Sequence, residues 1–171
     1  GIICGVNEQH LALFGSMENL MSAEGGIELI ENLPDNGLSI LNGNNKYCLE
    51  TYQKIKGRKE YIILDTRYQL PDTKPDLWAE DIKIEKDWLY FRVCDKTGDT
   101  ADFKVNLVGR HNIENILLAT ACAKELGMTL PEIAKACEKI ISDQGAMKLV
   151  RSPALHKADI IDSGYSANPD G

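Results

Sequence analysis

Between residues 79 and 107 apolar and polar side chains alternate with a period of two. The clearest run sets Ala101, Phe103, Val105 and Leu107 on one face and Asp102, Lys104 and Asn106 on the other. Strands with one buried and one wetted face have this pattern. Turn signals at Lys86-Asp87 and Thr97-Gly98-Asp99 divide the region into three stretches, so it reads as an antiparallel meander. Upstream, the apolar runs are short and continuous: residues 1–6, Leu38 to Leu41, and Tyr61 to Leu64. Helical patterns separate them, and this rhythm implies buried parallel strands covered by helices.

The helices carry their own punctuation. Ser16 is placed to cap a helix that turns Leu20, Met21, Ile27, Ile30 and Leu33 towards the core. Gly25-Gly26 interrupts it, which implies a kink or two shorter helices. Pro34-Asp35-Asn36-Gly37 is a turn. A further helix starts at His111-Asn112, with asparagine suited to the cap, and ends before Gly127. Thr129 and Glu132 form a capping box for the next, whose stripe is Ile133, Ala136, Cys137, Ile140 and Ile141. Ala158 to Asp162 reads as a last short strand, followed by a polar loop from Gly164 to Gly171. The fold class is therefore α/β: a mostly parallel sheet flanked by helices, with a small antiparallel β insertion over about 79–108.

Composition narrows the function. Net charge is −7, and the first 45 residues contain no lysine or arginine. Without a basic run to compensate, nucleic acid is excluded as a partner. An anionic nucleotide is not, because backbone amides, helix starts or a metal ion can hold it locally. The five cysteines are scattered, with no pair at zinc-ligand spacing, as expected of reduced thiols in a cytoplasmic protein. No apolar run approaches the length of a membrane span.

Three constellations could carry chemistry, each at a strand end or a helix start. In Asn7-Glu8-Gln9-His10 the imidazole could ligate a metal or orient a phosphate, or be an ordinary surface side chain. In Gly109-Arg110-His111-Asn112-Ile113-Glu114-Asn115 the asparagines offer the donors and acceptors that a purine edge needs. Alternatively, Asn112 merely caps the helix and Asn115 faces solvent. In Asp162-Ser163-Gly164-Tyr165-Ser166-Ala167-Asn168-Pro169 the aspartate could accept from ribose hydroxyls, or the segment could be a plain turn.

In this order the three resemble the Mur ligases, the ATP-dependent peptide ligases of peptidoglycan precursor synthesis. His10 to Asn19 is similar to the family's histidine-containing segment, and Leu38 to Asn45 to its next strand end. Gly109 to Asn115 matches its glycine-x-His-Asn-x-x-Asn signature. Ile161-Asp162 with Tyr165 to Pro169 resembles the Asp-Asp-x-Tyr-Asn-Ala-Asn-Pro of the branch that adds D-alanyl-D-alanine to UDP-MurNAc-tripeptide. The resemblance implies the family's central ATP-binding domain, P-loop NTPase-like in fold, over 1–160, with 161–171 as a hinge towards a C-terminal domain. It implies ATP and Mg2+ as cofactors and an acyl-phosphate route to the new amide. The same resemblance implies roles for single residues: His10 at the magnesium ion, Asn42, His111, Asn112 and Asn115 around adenine, Asn44 as a further nucleotide-site residue, Asp162 at the ribose, and Tyr165 and Asn168 shaping the hinge.

Departures from the family pattern shape further expectations. No Gly-x-x-Gly-Lys-Thr/Ser occurs in these residues. The chain opens at Gly1-Ile2-Ile3 in what reads as a strand and stops at Asp170-Gly171 in a turn. We therefore expect a fragment, inactive as a ligase alone. Many relatives carry a carbamylated lysine after the histidine segment. Here no lysine lies between His10 and Lys46, and Glu24 is expected to supply the anion. Gly145-Ala146-Met147 stands where relatives place an arginine, while Ser163 and Ser166 replace an aspartate and an asparagine. Two alternatives remain: another ligase of the superfamily, such as a folylpolyglutamate synthetase or a different amino-acid-adding enzyme, or a non-catalytic Mur-like binding protein.

Overall fold

The computed structural model describes residues 1–23, 25–63, 73–141, 148–151 and 159–162, the last two segments essentially as backbone. Eight strands and six helices follow in chain order among them. They are β1 (Ile2–Ile3), α1 (Leu11–Phe14), α2 (Met17–Ala23), α3 (Ile27–Glu31), β2 (Leu38–Asn42), α4 (Lys46–Lys54) and β3 (Arg58–Ile63). Then come β4 (Leu77–Glu85), β5 (Trp88–Asp95), β6 (Thr100–Val105), α5 (His111–Glu125), α6 (Leu130–Cys137), β7 (Lys148–Arg151) and β8 (Asp159–Asp162).

One mixed sheet of six strands runs in order β1-β2-β3-β4-β5-β6. The first three pairings are parallel and the last two antiparallel. The antiparallel meander therefore continues the main sheet. Ile62 pairs with Leu77 and Ile63 with Trp78, so β4 extends the parallel sheet before it turns back. Asp76 fixes this junction, because its carboxylate accepts from the Tyr61 amide at 2.9 Å.

Burial follows the two sequence patterns. In β2, Ile40 faces the cluster beneath α5, while Leu41 faces a second cluster with Ile3, Val6, Leu20, Met21 and Cys48. The parallel strands are thus covered on both sides, which explains their continuous apolar runs. In the meander, Leu89, Phe91, Val93, Phe103 and Val105 pack against α5 and α6. Asp102 and Lys104 stay exposed on the other face. Phe91 and Phe103 stack with ring centroids 5.3 Å apart.

The expected interruption at Gly25-Gly26 separates α2 from α3, and Ser16 Oγ accepts from the Asn19 amide at 3.1 Å. Glu132 Oε2 accepts from the Thr129 amide at 2.9 Å, one of the two bonds of the expected capping box, and also from the Thr129 hydroxyl at 2.6 Å. Other details differ from expectation. α6 ends at Cys137, so Ile141 lies beyond it at 89% exposure. Ala134, not Ala136, completes the buried stripe. β8 pairs antiparallel with β7, a strand without a clear period of its own. The densest basic stretch, Lys54 to Lys59, is partly turned inward. Lys59 Nζ donates to the carbonyls of Tyr52 and Ile55, and Arg58 donates to Asn36 O and Glu125.

All five cysteines are free thiols, Cys4 exposed and Cys48, Cys94 and Cys137 buried. Burial pushes the Cys48 thiol up to about 12 and Cys94 to about 11. Among the described residues no helix is long and apolar enough to cross a membrane.

Candidate functional site: an amide-lined cleft at the strand ends

β1 and β2 run parallel, so both finish at the same edge of the sheet, and the chain turns polar there. Asn42, 5% exposed, donates through Nδ2 to Cys4 O at 2.9 Å and to Glu114 Oε2 at 2.7 Å. Its Oδ1 accepts from the Asn44 amide at 2.9 Å. Asn44 Nδ2 reaches Glu114 Oε1 at 3.2 Å. Asn45 donates to Val6 O at 2.8 Å, and its Oδ1 accepts from the amides of Tyr47 and Cys48, capping α4. Gly43 is required by space, since a Cβ there would lie 2.6 Å from Ile63 Cγ2 and 2.7 Å from Ile62 O. The strand end can press against β3 only without a side chain.

Glu8, Lys46 and Tyr47 form the other wall. The Tyr47 hydroxyl donates to Glu8 Oε1 at 2.5 Å, and Lys46 Nζ lies 3.6 Å from the same oxygen and 4.5 Å from the Tyr47 ring centroid. The Tyr47 hydroxyl, and then Lys46, hold the Glu8 carboxyl below the usual carboxylate range. Both walls enclose a cleft of about 810 Å³, which also takes in Cys4, Gly5 and Asn7. Lys46 is the one cation lining it among the described residues. A second groove of about 570 Å³ lies at the opposite ends of β2 and β3, with Ile27, Ile30, Leu33 and Ile55 in its walls and no amide or imidazole side chain.

α5 begins beside the cleft. Gly109 has φ +99, and a Cβ on it would sit 2.5 Å from the His111 ring, so glycine gives both the turn and the room for the imidazole. Asn112 was expected to suit the helix cap. Instead it lies inside the first turn and donates through Nδ2 to Val108 O at 2.8 Å, while Arg110 takes the cap position without a side-chain bond. A donor cannot satisfy the helix's own unpaired amides, so Asn112 anchors the preceding loop. His111 and Asn115 are exposed on the same turn as Glu114.

The structure thus joins Asn42 and Asn44 to the first turn of α5 through Glu114. In the sequence Glu114 stands only as a variable position of the glycine-x-His-Asn-x-x-Asn motif. Lys46, Tyr47 and Asn45 were missed as well. His10 is exposed at the start of α1, two residues beyond Glu8, and does not line the cleft. Glu24, Tyr165 and Asn168 lie outside the described residues. Asp162 ends β8 opposite Lys148, its side chain likewise outside them. Among the described residues, no three His, Cys, Asp or Glu side chains converge to hold a metal by themselves.

The profile of the Mur ligase middle domain matches residues 1–123, and the chain belongs to the Mur ligase family. It is 30% identical over 159 residues to the UDP-N-acetylmuramoyl-tripeptide–D-alanyl-D-alanine ligase of Escherichia coli K12, covering 93% of this chain and 33% of that protein. It is 26% identical over 171 residues to a Nostoc UDP-N-acetylmuramoyl-L-alanyl-D-glutamate–2,6-diaminopimelate ligase, covering 99% and 32%. The fold is similar to that of the MurF ligase of Thermotoga maritima in complex with ADP, with a TM-score of 0.73 and 15% identity over 96% of this chain and 35% of that one. The chain spans about a third of the length of these relatives.

Proposed function

We propose that this chain is the nucleotide-gripping part of an ATP-dependent amide ligase that adds D-alanyl-D-alanine to UDP-MurNAc-tripeptide in the cytoplasm. The observation that carries the reading is the convergence of the Asn42–Asn45 strand end with the first turn of α5 through Glu114. A helix start and a parallel-strand edge meet there, the usual place for a nucleotide in an open α/β sheet. Family membership and the ADP complex of the Thermotoga enzyme support the same assignment.

In this reading His111 and Asn115, exposed beside the cleft, meet the base, with Asn112 and Asn42 holding the backbone that frames it. Lys46 draws anionic substrate into an otherwise acidic cleft. ATP transfers its terminal phosphoryl group to the substrate carboxylate, and the amine displaces phosphate from the acyl phosphate, giving amide, ADP and phosphate. Magnesium neutralises phosphate charge when bound. His10, with Glu8 close in sequence, is the described group assigned to it. Glu24 as the carbamate's replacement, and Asp162, Tyr165 and Asn168 at the ribose and hinge, remain proposals from the motif resemblance.

A second reading, a ligase of the same family with another amine, has the likeness to the diaminopimelate-adding enzyme on its side. Phosphate release from ATP by the full-length gene product separates the two. We expect release to require both UDP-MurNAc-tripeptide and D-alanyl-D-alanine. Release driven by diaminopimelate with the dipeptide-bearing precursor would move the assignment to that branch. No release from a folded protein that still binds ADP would favour a non-catalytic binding protein.

A further inference from the structure

Glu114 stands on the first turn of α5, yet both its carboxylate oxygens point to the end of β2 and the turn after it. Oε2 accepts from Asn42 at 2.7 Å and Oε1 from Asn44 at 3.2 Å, across 72 and 70 residues of chain. Asn42 is 5% exposed and has no freedom to turn its amide over. Its Nδ2 faces two acceptors, Cys4 O and Glu114, and its Oδ1 faces one donor, the Asn44 amide. A flip would set oxygen against oxygen and NH2 against N–H, leaving buried polar groups opposed. A carboxylate is the side chain that can accept from both asparagines at once. A carboxamide in its place would offer a donor to one of them.

We infer that Glu114 is a positioning residue for the nucleotide: it fixes the amide orientation of the β2 end and locks that end to the first turn of α5. His111 and Asn115 then face a ligand from a helix start already held against the β2 end, rather than from an element that must be ordered on binding. This rests on the nucleotide-binding reading above. Glu114 itself need not touch the ligand, so its loss acts on affinity more than on turnover.

The test is calorimetric titration of the full-length protein with ADP and magnesium, together with KM for ATP and kcat. Glu114→Gln is expected to weaken ADP binding roughly tenfold, the size of a lost charge-assisted hydrogen bond, and to leave kcat at saturating ATP within about twofold. Glu114→Asp, which keeps the charge on a shorter arm, is the gentler check and should raise KM with kcat retained. Unchanged ADP affinity in Glu114→Gln, or a loss of kcat at saturating ATP as large as the loss of affinity, overturns the inference alone. A folded wild-type protein that binds no ADP overturns the nucleotide reading and this inference with it.

Discussion

The two halves of the sheet are buried differently and end differently. β1 to β3 are covered on both faces, and β2 runs out into asparagines whose amides tie it to α5 and to the chain that follows β1. β4 to β6 are covered on one face, and their ends are closed by ions. Asp95, 2% exposed, accepts from Lys124 on α5, from the Thr97 amide at 2.9 Å and hydroxyl at 2.6 Å, and from the Asp99 amide at 3.0 Å. Lys96 pairs with Asp76 at the β3–β4 junction. Amides keep their donors and acceptors at every pH and leave a surface that neutral and anionic groups can share. Asp76 and Asp95 are buried with their charges already paired to Lys96 and Lys124, which leaves a ligand little of either carboxylate. The meander half therefore reads as the frame and the parallel half as the working edge.

Substitutions in the frame should cost stability and leave nucleotide affinity alone. Phe103→Ala, which empties the stacked pair beneath α6, is expected to lower unfolding free energy by about 4 kcal/mol in urea titration. ADP affinity of the folded fraction should not change. Lys124→Met leaves Asp95 buried without its cation and should cost about 3 kcal/mol. An equal loss of ADP affinity in either variant would break the division between frame and edge.

Acid acts on the same frame. Burial alone would raise the Asp95 carboxyl, but the bonds from Lys124, Thr97 and Asp99 outweigh it and hold it at about 2, below its ordinary 3.8. Because the folded value is depressed, the stabilisation is present above about pH 4 and is lost as pH falls towards 2. Its size is about 2 kcal/mol, and Asp95→Asn should flatten that part of the stability–pH curve. The smallest effect is expected at the capping box, where Thr129→Ala should cost about 1 kcal/mol and lower the melting temperature slightly.

Much of this was legible in the sequence because it is local. Period-two alternation marks β6 as half-buried, continuous apolar runs mark β2 and β3 as doubly covered, and Thr129 with Glu132 marks the start of α6. Asn42 ends a strand and His111 opens a helix, as read from the sequence, while the motif after Asp162 lies outside the described residues. What escaped depends on distance along the chain. Nothing near Glu114 says that its carboxylate meets Asn42 and Asn44, and nothing near Lys46 or Tyr47 says that they face Glu8. The role of Asn112 was misjudged because an asparagine near a helix start accepts at the cap but donates once inside the turn. β7 became a strand only by pairing with β8.

The most direct test of the central claim is amide hydrogen exchange of the full-length protein with and without ADP and magnesium. The division predicts slowed exchange at residues 4–8, 42–48 and 109–116, and none attributable to nucleotide along β5 and β6. Protection centred on the meander, or along the groove by Ile30 and Ile55 with the amide cleft unchanged, would contradict it.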